Sequence, residues 1–130
     1  MTTATMDAKS KKAASAPNLM PSMIFHEIFI KLKDSSPDKV QRQLDLGRQY
    51  LSNHPGQLSF AATVLATGLT RHTQVSYLLN DTAFTVCFHI IFANAEAHNE
   101  YQVSPRHVEH FIPLSNPNWE SIRVFDSTVP

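Results

Sequence analysis

The sequence predicts an α+β domain in which strands and helices follow one another as β-α-β-β-α-β. Four segments have the β-branched and aromatic residues, with apolar alternation, that are typical of strands: 23–33, 57–66, 83–92 and 119–128. A helix-period stripe that begins at Ser36-Pro37 separates the first two strands, and a second helical segment from Asn94 precedes the last. This order is the split βαβ, ferredoxin-like arrangement, whose helices cover only one face of the sheet.

The first strand and the first helix each have a distinct inward face. In residues 23–33 one face is apolar except for His26, so this face is expected to point toward the core. Ser36 is placed to cap the helix, and Pro37 suits its first turn. Gly47 lies on the inward stripe, where the missing side chain permits close approach to a sheet.

The segment 83–92 is the strongest strand in the sequence. One face is expected to carry Phe84, Val86, Phe88, Ile90 and Phe92. The other face is too apolar to be exposed to water. Both helices are expected on the first face, so this second face needs a partner. We therefore expect a homodimer that packs sheet on sheet through a face comprising Phe29, Cys87, His89, Ile91 and Phe125.

Composition excludes several classes of function. Eleven basic and eleven acidic side chains cancel in 130 residues, so neither a nucleic acid nor an anionic membrane is an expected partner. The single cysteine allows no intrachain disulfide, and a reducing cytoplasm is expected. No phosphate-binding glycine loop or other cofactor motif is present, so no cofactor is predicted. Residues 1–22 are interpreted as a disordered tail and residues 23–130 as one domain.

Four segments of the chain together resemble one known family. They are "HEIFIKLKDSSPDKV", "HPGQLSFAA", "AFTVCFHIIFANAEAHNEYQVSPRHVEHF" and "WESIRVFDS". They resemble the stress-responsive dimeric α/β-barrel domain, abbreviated Dabb. The resemblance implies an eight-stranded barrel formed across a homodimer. It implies no single activity, because the family includes plant polyketide cyclases, ring-forming stress proteins and bacterial proteins of unassigned role.

The resemblance also implies candidate catalytic residues. In the cyclases a first-strand histidine, a histidine after the proline of the second-helix motif, and a tyrosine ahead of that proline line the pocket. These positions match His26, His107 and Tyr101. The chain departs from the cyclases at Val86, where they carry a further pocket histidine, and at Ser104, where they carry another histidine.

Three functional interpretations stay open. The leading one is a Dabb protein of unassigned biochemical role that binds a small apolar or aromatic molecule between sheet and helices. Its pocket is expected to be lined by Ile28, Phe84, Val86 and Phe88. The first alternative is a cofactor-independent cyclase, isomerase or monooxygenase with His26 and His107 as acid and base, since imidazole titrates near neutral pH. The second is a structural stress-response protein without catalysis.

The remaining polar residues are expected to be ordinary surface groups. His107 and His110 have helical i, i+3 spacing, but zinc or iron needs at least a third ligand, so no metal site is predicted. His98 and His110 are expected to face solvent. Arg106 and Arg123 are expected to pair with nearby carboxylates, namely Glu109, Glu120 or Asp126.

Overall fold

The computed structural model describes residues 19–70 and 79–130. Residues 1–18 of the predicted tail and residues 71–78 of the loop between the second and third strands lie outside the described part. The described chain begins by contacting its own end, since the backbone N–H of Ser22 donates to the Val129 carbonyl at 2.9 Å. No helix within the described ranges is long and apolar enough to cross a membrane.

The four predicted strands form one antiparallel sheet. Its strands are β1 (Ile24–Leu32), β2 (Gln57–Val64), β3 (Val86–Phe92) and β4 (Trp119–Thr128). Their order in the sheet is β2-β3-β1-β4. The ferredoxin-like α+β class predicted from the sequence is confirmed. The third strand starts three residues later than its predicted start at residue 83, so Phe84 precedes the strand.

Two helices lie on one face of this sheet. They are α1 (Pro37–Tyr50) and α2 (Ala95–Val103). Asn94 caps α2 as expected, since its Oδ1 accepts from the Ala97 backbone N–H at 2.9 Å. Ser36 precedes α1, but its side chain makes no capping bond and its hydroxyl donates to Asp38 Oδ1 at 2.9 Å instead.

The chain continues in helical form beyond the predicted end at Phe111. After α2 come a π-helical turn (Arg106–Phe111), α3 (Ile112–Ser115) and a 3₁₀ turn (Asn116–Asn118). In the π-helical turn the Ile112 N–H donates to the His107 carbonyl, five residues earlier. This run of three short helical types spans the distance from α2 back to the start of β4.

Gly47 sets how closely α1 approaches the sheet. A Cβ at this position would lie 2.0 Å from Cε1 of Phe88. The helix therefore approaches the sheet closely, as the sequence predicted, and it packs directly on the Phe88 ring. The core between sheet and helices includes fully buried residues from both central strands, among them Ile30, Val86, Phe88, Ile90 and Phe92.

The edge strand β4 is less covered than the central strands. Ile122 and Val124 point to the same face as the core residues of β1, because they pair with Ile30 and Ile28. Their side chains nevertheless stay 38% and 46% exposed. The helices leave this edge of the sheet open, and the candidate site lies there.

Candidate functional site

A cavity of about 430 Å³ lies between the β1–β4 edge of the sheet and the helices; we call it the helix-side cavity. Its walls combine apolar residues with a small set of polar ones. The lining residues are His26, Ile28, His98, Gln102, His107, Phe111, Ile112, Trp119, Ile122, Val124 and Asp126. A largely apolar cavity with a few convergent polar groups is the usual form of a small-molecule site.

His26 and Asp126 form a hydrogen-bonded pair in this cavity. They face each other in the register of β1 and β4, so both side chains lie on the helix-covered face. His26 Nδ1 lies 2.5 Å from Asp126 Oδ1, and the side chains are 3% and 45% exposed. A carboxylate only accepts, so Nδ1 carries the proton and Nε2 keeps its lone pair. Asp126, one of the three carboxylates expected as partners for Arg106 and Arg123, pairs with a buried histidine instead.

Burial and the carboxylate act on His26 in opposite directions. Burial lowers the pKa of His26 below its usual value and outweighs the hydrogen bond to Asp126, which raises it. The imidazole is therefore neutral near pH 7. A neutral imidazole held at Nδ1 by a carboxylate is arranged to accept a proton at Nε2, with the resulting imidazolium stabilised by Asp126.

Histidine side chains pack around the ring of Tyr101. Its ring centroid lies 5.4 Å from that of His26, 4.8 Å from His107 and 4.9 Å from His54. The residue is 1% exposed, and its hydroxyl has no hydrogen-bond partner among the described residues. Burial raises the pKa of Tyr101, so the phenol is neutral. Tyr101 is not among the described residues that line the helix-side cavity; it packs behind the histidines, and its hydroxyl is buried rather than placed at the rim.

His107 is held by the backbone of the preceding helix. Its Nδ1 lies 3.0 Å from the Gln102 carbonyl oxygen, which only accepts, so Nδ1 is the protonated nitrogen. Its ring stacks on Phe111 with an interplanar angle of 10°. Burial is the largest cause that lowers the pKa of His107, and the neighbouring histidines lower it further. His26 and His107 thus line one cavity, and each is held at Nδ1 by its own hydrogen bond.

His98 belongs to the same cluster, and the expectation that it faces solvent is wrong. Its side chain is 18% exposed, its Nε2 lies 3.7 Å from Asp126 Oδ1, and its ring centroid lies 5.0 Å from that of His26. The signal in the sequence was the i, i+3 spacing to Tyr101, which puts both residues on one face of α2. His110, by contrast, is exposed and stacks on Tyr50 at 5.4 Å.

The residues predicted to line the pocket separate into three places. Ile28 lines the helix-side cavity. Val86 and Phe88 are 0% exposed in the core, so they support the site from below. Phe84 instead lines a second cavity of about 400 Å³ on the opposite face of the sheet. The expectation for Phe84 is corrected, because the strand alternation does not extend back to a residue that precedes β3.

One group of described residues has metal-ligand character. His26, His98 and Asp126 offer ligand atoms that all lie within 4.8 Å of one another. Two ligands of one zinc ion are about 3.3 Å apart, since zinc–nitrogen bonds are about 2.0 Å and the geometry is tetrahedral. The 2.5 Å between His26 and Asp126 is the distance of a direct hydrogen bond. The group as arranged therefore holds a proton between these two residues.

The opposite face of the sheet, which we call the open face, carries a second histidine–carboxylate pair. His89 Nδ1 lies 2.7 Å from Glu27 Oε1, and its Nε2 lies 2.9 Å from Thr63 Oγ1. Beside these hydrogen bonds Phe29 and Phe125 pack edge to face, with their ring centroids 5.8 Å apart. No described helix covers the open face, and Phe125 is 50% exposed. This composition matches the apolar face with a central histidine that the sequence predicted.

Fold and cavity together define a class of protein: a ferredoxin-like α+β domain with a histidine–carboxylate pair in a cavity between its sheet and its helices. The chain belongs to the stress responsive A/B barrel (Dabb) family, whose family model matches residues 24–129. The resemblance drawn from the sequence segments is thereby confirmed. No curated protein sequence matches the chain.

Solved structures share the fold at low sequence identity. A dimeric ferredoxin-like protein of unknown function from Thermobifida fusca is 13% identical, with a TM-score of 0.66 over 85% of this chain and 94% of that one. A hydroxynitrile lyase from Passiflora edulis is 16% identical, with a TM-score of 0.66 over 85% and 96%. A Dabb family protein from Mesorhizobium loti is 23% identical, with a TM-score of 0.63 over 83% and 96%.

Proposed function

We propose that the protein binds a small apolar or aromatic molecule in the helix-side cavity and moves a proton on that molecule without a cofactor. The observation that carries the proposal is the buried His26, whose Nδ1 is held by Asp126 while the residue lines an otherwise largely apolar cavity. The fold is compatible with catalysis, since one similar structure is a hydroxynitrile lyase.

The proposed chemistry is a shuttle of one proton. His26 Nε2 takes a proton from an acidic C–H or O–H of the bound molecule, and the Asp126 carboxylate stabilises the imidazolium. His107, with its own Nδ1 bound to a backbone carbonyl, is a second proton acceptor in the same cavity. The proton returns to another atom of the molecule, so the net reaction is an isomerisation or a cyclisation and needs no oxidant.

The test is hydrogen–deuterium exchange of an enolisable aromatic ketone such as 2-tetralone, followed by proton NMR in D₂O. The protein is expected to accelerate exchange at the α-carbon. His26→Ala should lower the acceleration by about a hundredfold or more, as expected when a general base is removed. Asp126→Asn, which keeps the size of the side chain, should lower it by a smaller factor.

His110→Ala is the matched control, because His110 lies on the same π-helical turn as His107 but is exposed and stacks on Tyr50. It should leave exchange unchanged. Exchange at the buffer rate with the unaltered protein, together with a large loss of stability in His26→Ala, would assign His26 a structural role and favour a protein without catalysis.

We further propose that the functional unit is a homodimer whose protomers pack through the open face. Support comes from two proteins of the same fold described as dimeric, from Thermobifida fusca and Bacteroides fragilis. It also comes from the exposed aromatic surface of this face, where the Arg123 guanidinium lies 4.9 Å from the centre of the Phe125 ring. The proposed interface comprises Phe29, Cys87, His89, Ile91 and Phe125. The helix-side cavity lies on the other face of the sheet and stays accessible.

A further inference from the structure

Hydrogen-bond partners fix the tautomers of the two main cavity histidines. The Nδ1 of His26 faces a carboxylate oxygen at 2.5 Å, and the Nδ1 of His107 faces a backbone carbonyl at 3.0 Å. Neither partner can donate, so each Nδ1 carries the hydrogen. The Nε2 of both rings is therefore an acceptor, and no described residue occupies it.

His98 is the third histidine that lines the helix-side cavity. Its Nδ1 lies 3.2 Å from the Asn99 side-chain oxygen, and its Nε2 lies 3.4 Å from the side-chain nitrogen of Gln102. The Nε2 of His98 also lies 3.7 Å from Asp126 Oδ1, which only accepts, so these contacts do not fix the His98 tautomer. The contact with His98 uses one of the two N–H groups of Gln102, the one side-chain amide of the described lining.

The remaining lining residues add no accessible donor. The carboxylate of Asp126 only accepts. Trp119 lines the cavity with its ring, but its Nε1 is a buried atom. None of the described lining residues is a lysine or an arginine. Burial lowers the pKa of His26 and of His107, which keeps both rings neutral and accepting.

We propose that the helix-side cavity selects neutral molecules that donate hydrogen bonds, such as phenols and enols, and rejects carboxylates. The inference rests on the proposed function, since it names the ligand class of the same cavity. A phenol places its O–H against an Nε2 and its ring against the apolar walls. A carboxylate would lie beside the Asp126 charge and two accepting Nε2 atoms, with no lysine or arginine in the described lining to compensate its desolvation.

Three probes that share one ring system test this selection: 1-naphthol, naphthalene and 1-naphthoate. Affinities are measured by ligand-observed NMR at about pH 7.5, where imidazole of ordinary pKa is mostly neutral. We expect 1-naphthol to bind about tenfold more tightly than naphthalene, the difference made by one good hydrogen bond. We expect 1-naphthoate to bind more weakly than either.

His107→Leu should reduce the ratio of the affinities for 1-naphthol and naphthalene, while naphthalene still binds. His110→Leu is its control and should keep the full preference. The ratio of two affinities on one variant is insensitive to a general loss of stability, so a merely structural effect of His107→Leu does not imitate the result.

The outcomes separate the inference from the proposed function. Equal affinity for 1-naphthol and naphthalene, or tightest binding of 1-naphthoate, overturns the acceptor selection and leaves small-molecule binding in place. Failure of all three probes to show saturable binding overturns both the selection and the proposed binding site.

Discussion

The two faces of the sheet carry the same chemical pair in different surroundings. On the helix-covered face His26 meets Asp126 at 2.5 Å with the histidine side chain 3% exposed. On the open face His89 meets Glu27 at 2.7 Å with side chains 35% and 29% exposed. Both pairs border a cavity: His26 and Asp126 line the helix-side cavity, and His89 lines the cavity on the open face. The second pair continues to Thr63, and no described helix lies over it. A histidine–carboxylate pair therefore does not define a function by itself; the elements packed over it decide what it can reach.

The largest expected effect is on the free energy of unfolding, from a substitution that disrupts packing on the helix-covered face only. Phe88→Ala should lower the free energy of unfolding by about 3–5 kcal/mol, because it empties a fully buried site under α1. Phe125→Ala on the open face should act on assembly instead, since Phe125 is 50% exposed in the single chain. Chemical denaturation over a range of protein concentrations, with sedimentation to report mass, measures both.

The two variants should differ in their dependence on concentration. The loss in Phe88→Ala should be the same at all concentrations, whereas the effect of Phe125→Ala should disappear on dilution below the dimer dissociation constant. Exposed Val103→Ala on α2 is the control for truncation of a surface side chain. A concentration-independent loss of several kcal/mol in Phe125→Ala would argue against an open-face dimer.

An effect of intermediate size is the dependence of stability on pH, which comes from histidines on the helix-covered face. Burial lowers the pKa of His26, His54 and His107 in the folded chain below that of a free histidine, which is about 6.5. The unfolded chain then binds protons first as pH falls through about 6.5, so stability is complete above this value and is lost below it. Denaturation midpoints measured from neutral pH downward should decrease.

Two replacements sharpen the comparison between the faces. His107→Gln removes one of the three histidines whose pKa is lowered and should make the decrease with falling pH shallower. Ile91→Val on the open face, which removes no titratable group, should leave the slope near that of the unaltered protein. A slope that His107→Gln leaves unchanged would contradict this assignment.

The smallest expected effect is at the surface. Lys31 and Glu120 form an ion pair at 3.2 Å between β1 and β4, with side chains 42% and 53% exposed. Glu120→Gln should change the free energy of unfolding by less than about 1 kcal/mol, because exposed pairs are screened and cost side-chain entropy. Denaturation at low and high salt measures it; a loss of several kcal/mol would show that this edge of the sheet is more constrained than its exposure indicates.

Local patterns in the sequence were sufficient for the elements and for some of the packing. Alternation located β4, the cap at Asn94 located α2, and Gly47 in the inward stripe predicted a close approach of α1 to the sheet, which the structure shows against Phe88. Each of these depends on residues close in sequence or on a single missing side chain. Such features are readable without knowing which strands are neighbours.

The site required long-range information. Asp126 reaches His26 only because β1 and β4 pair across 100 residues, although its place two residues after Val124 already put it on the inward face. The position of His98 was readable from its spacing to Tyr101, but only once α2 was known to pack against β1 and β4. Phe84 was placed on the wrong face because strand ends are set by hydrogen-bonding partners rather than by the apolar pattern.

The π-helical turn Arg106–Phe111 makes the position of His107 in this chain sensitive to a change of one residue in length. Such a turn holds one more residue than an α-helical turn. Loss of a single codon within it would restore α-helical bonding and rotate the residues before it by about 100° relative to those after it. His107 would then leave the cavity while the sheet and Phe111 stayed in place. One insertion or deletion could therefore add or remove a cavity histidine without altering the strands that hold His26 and Asp126.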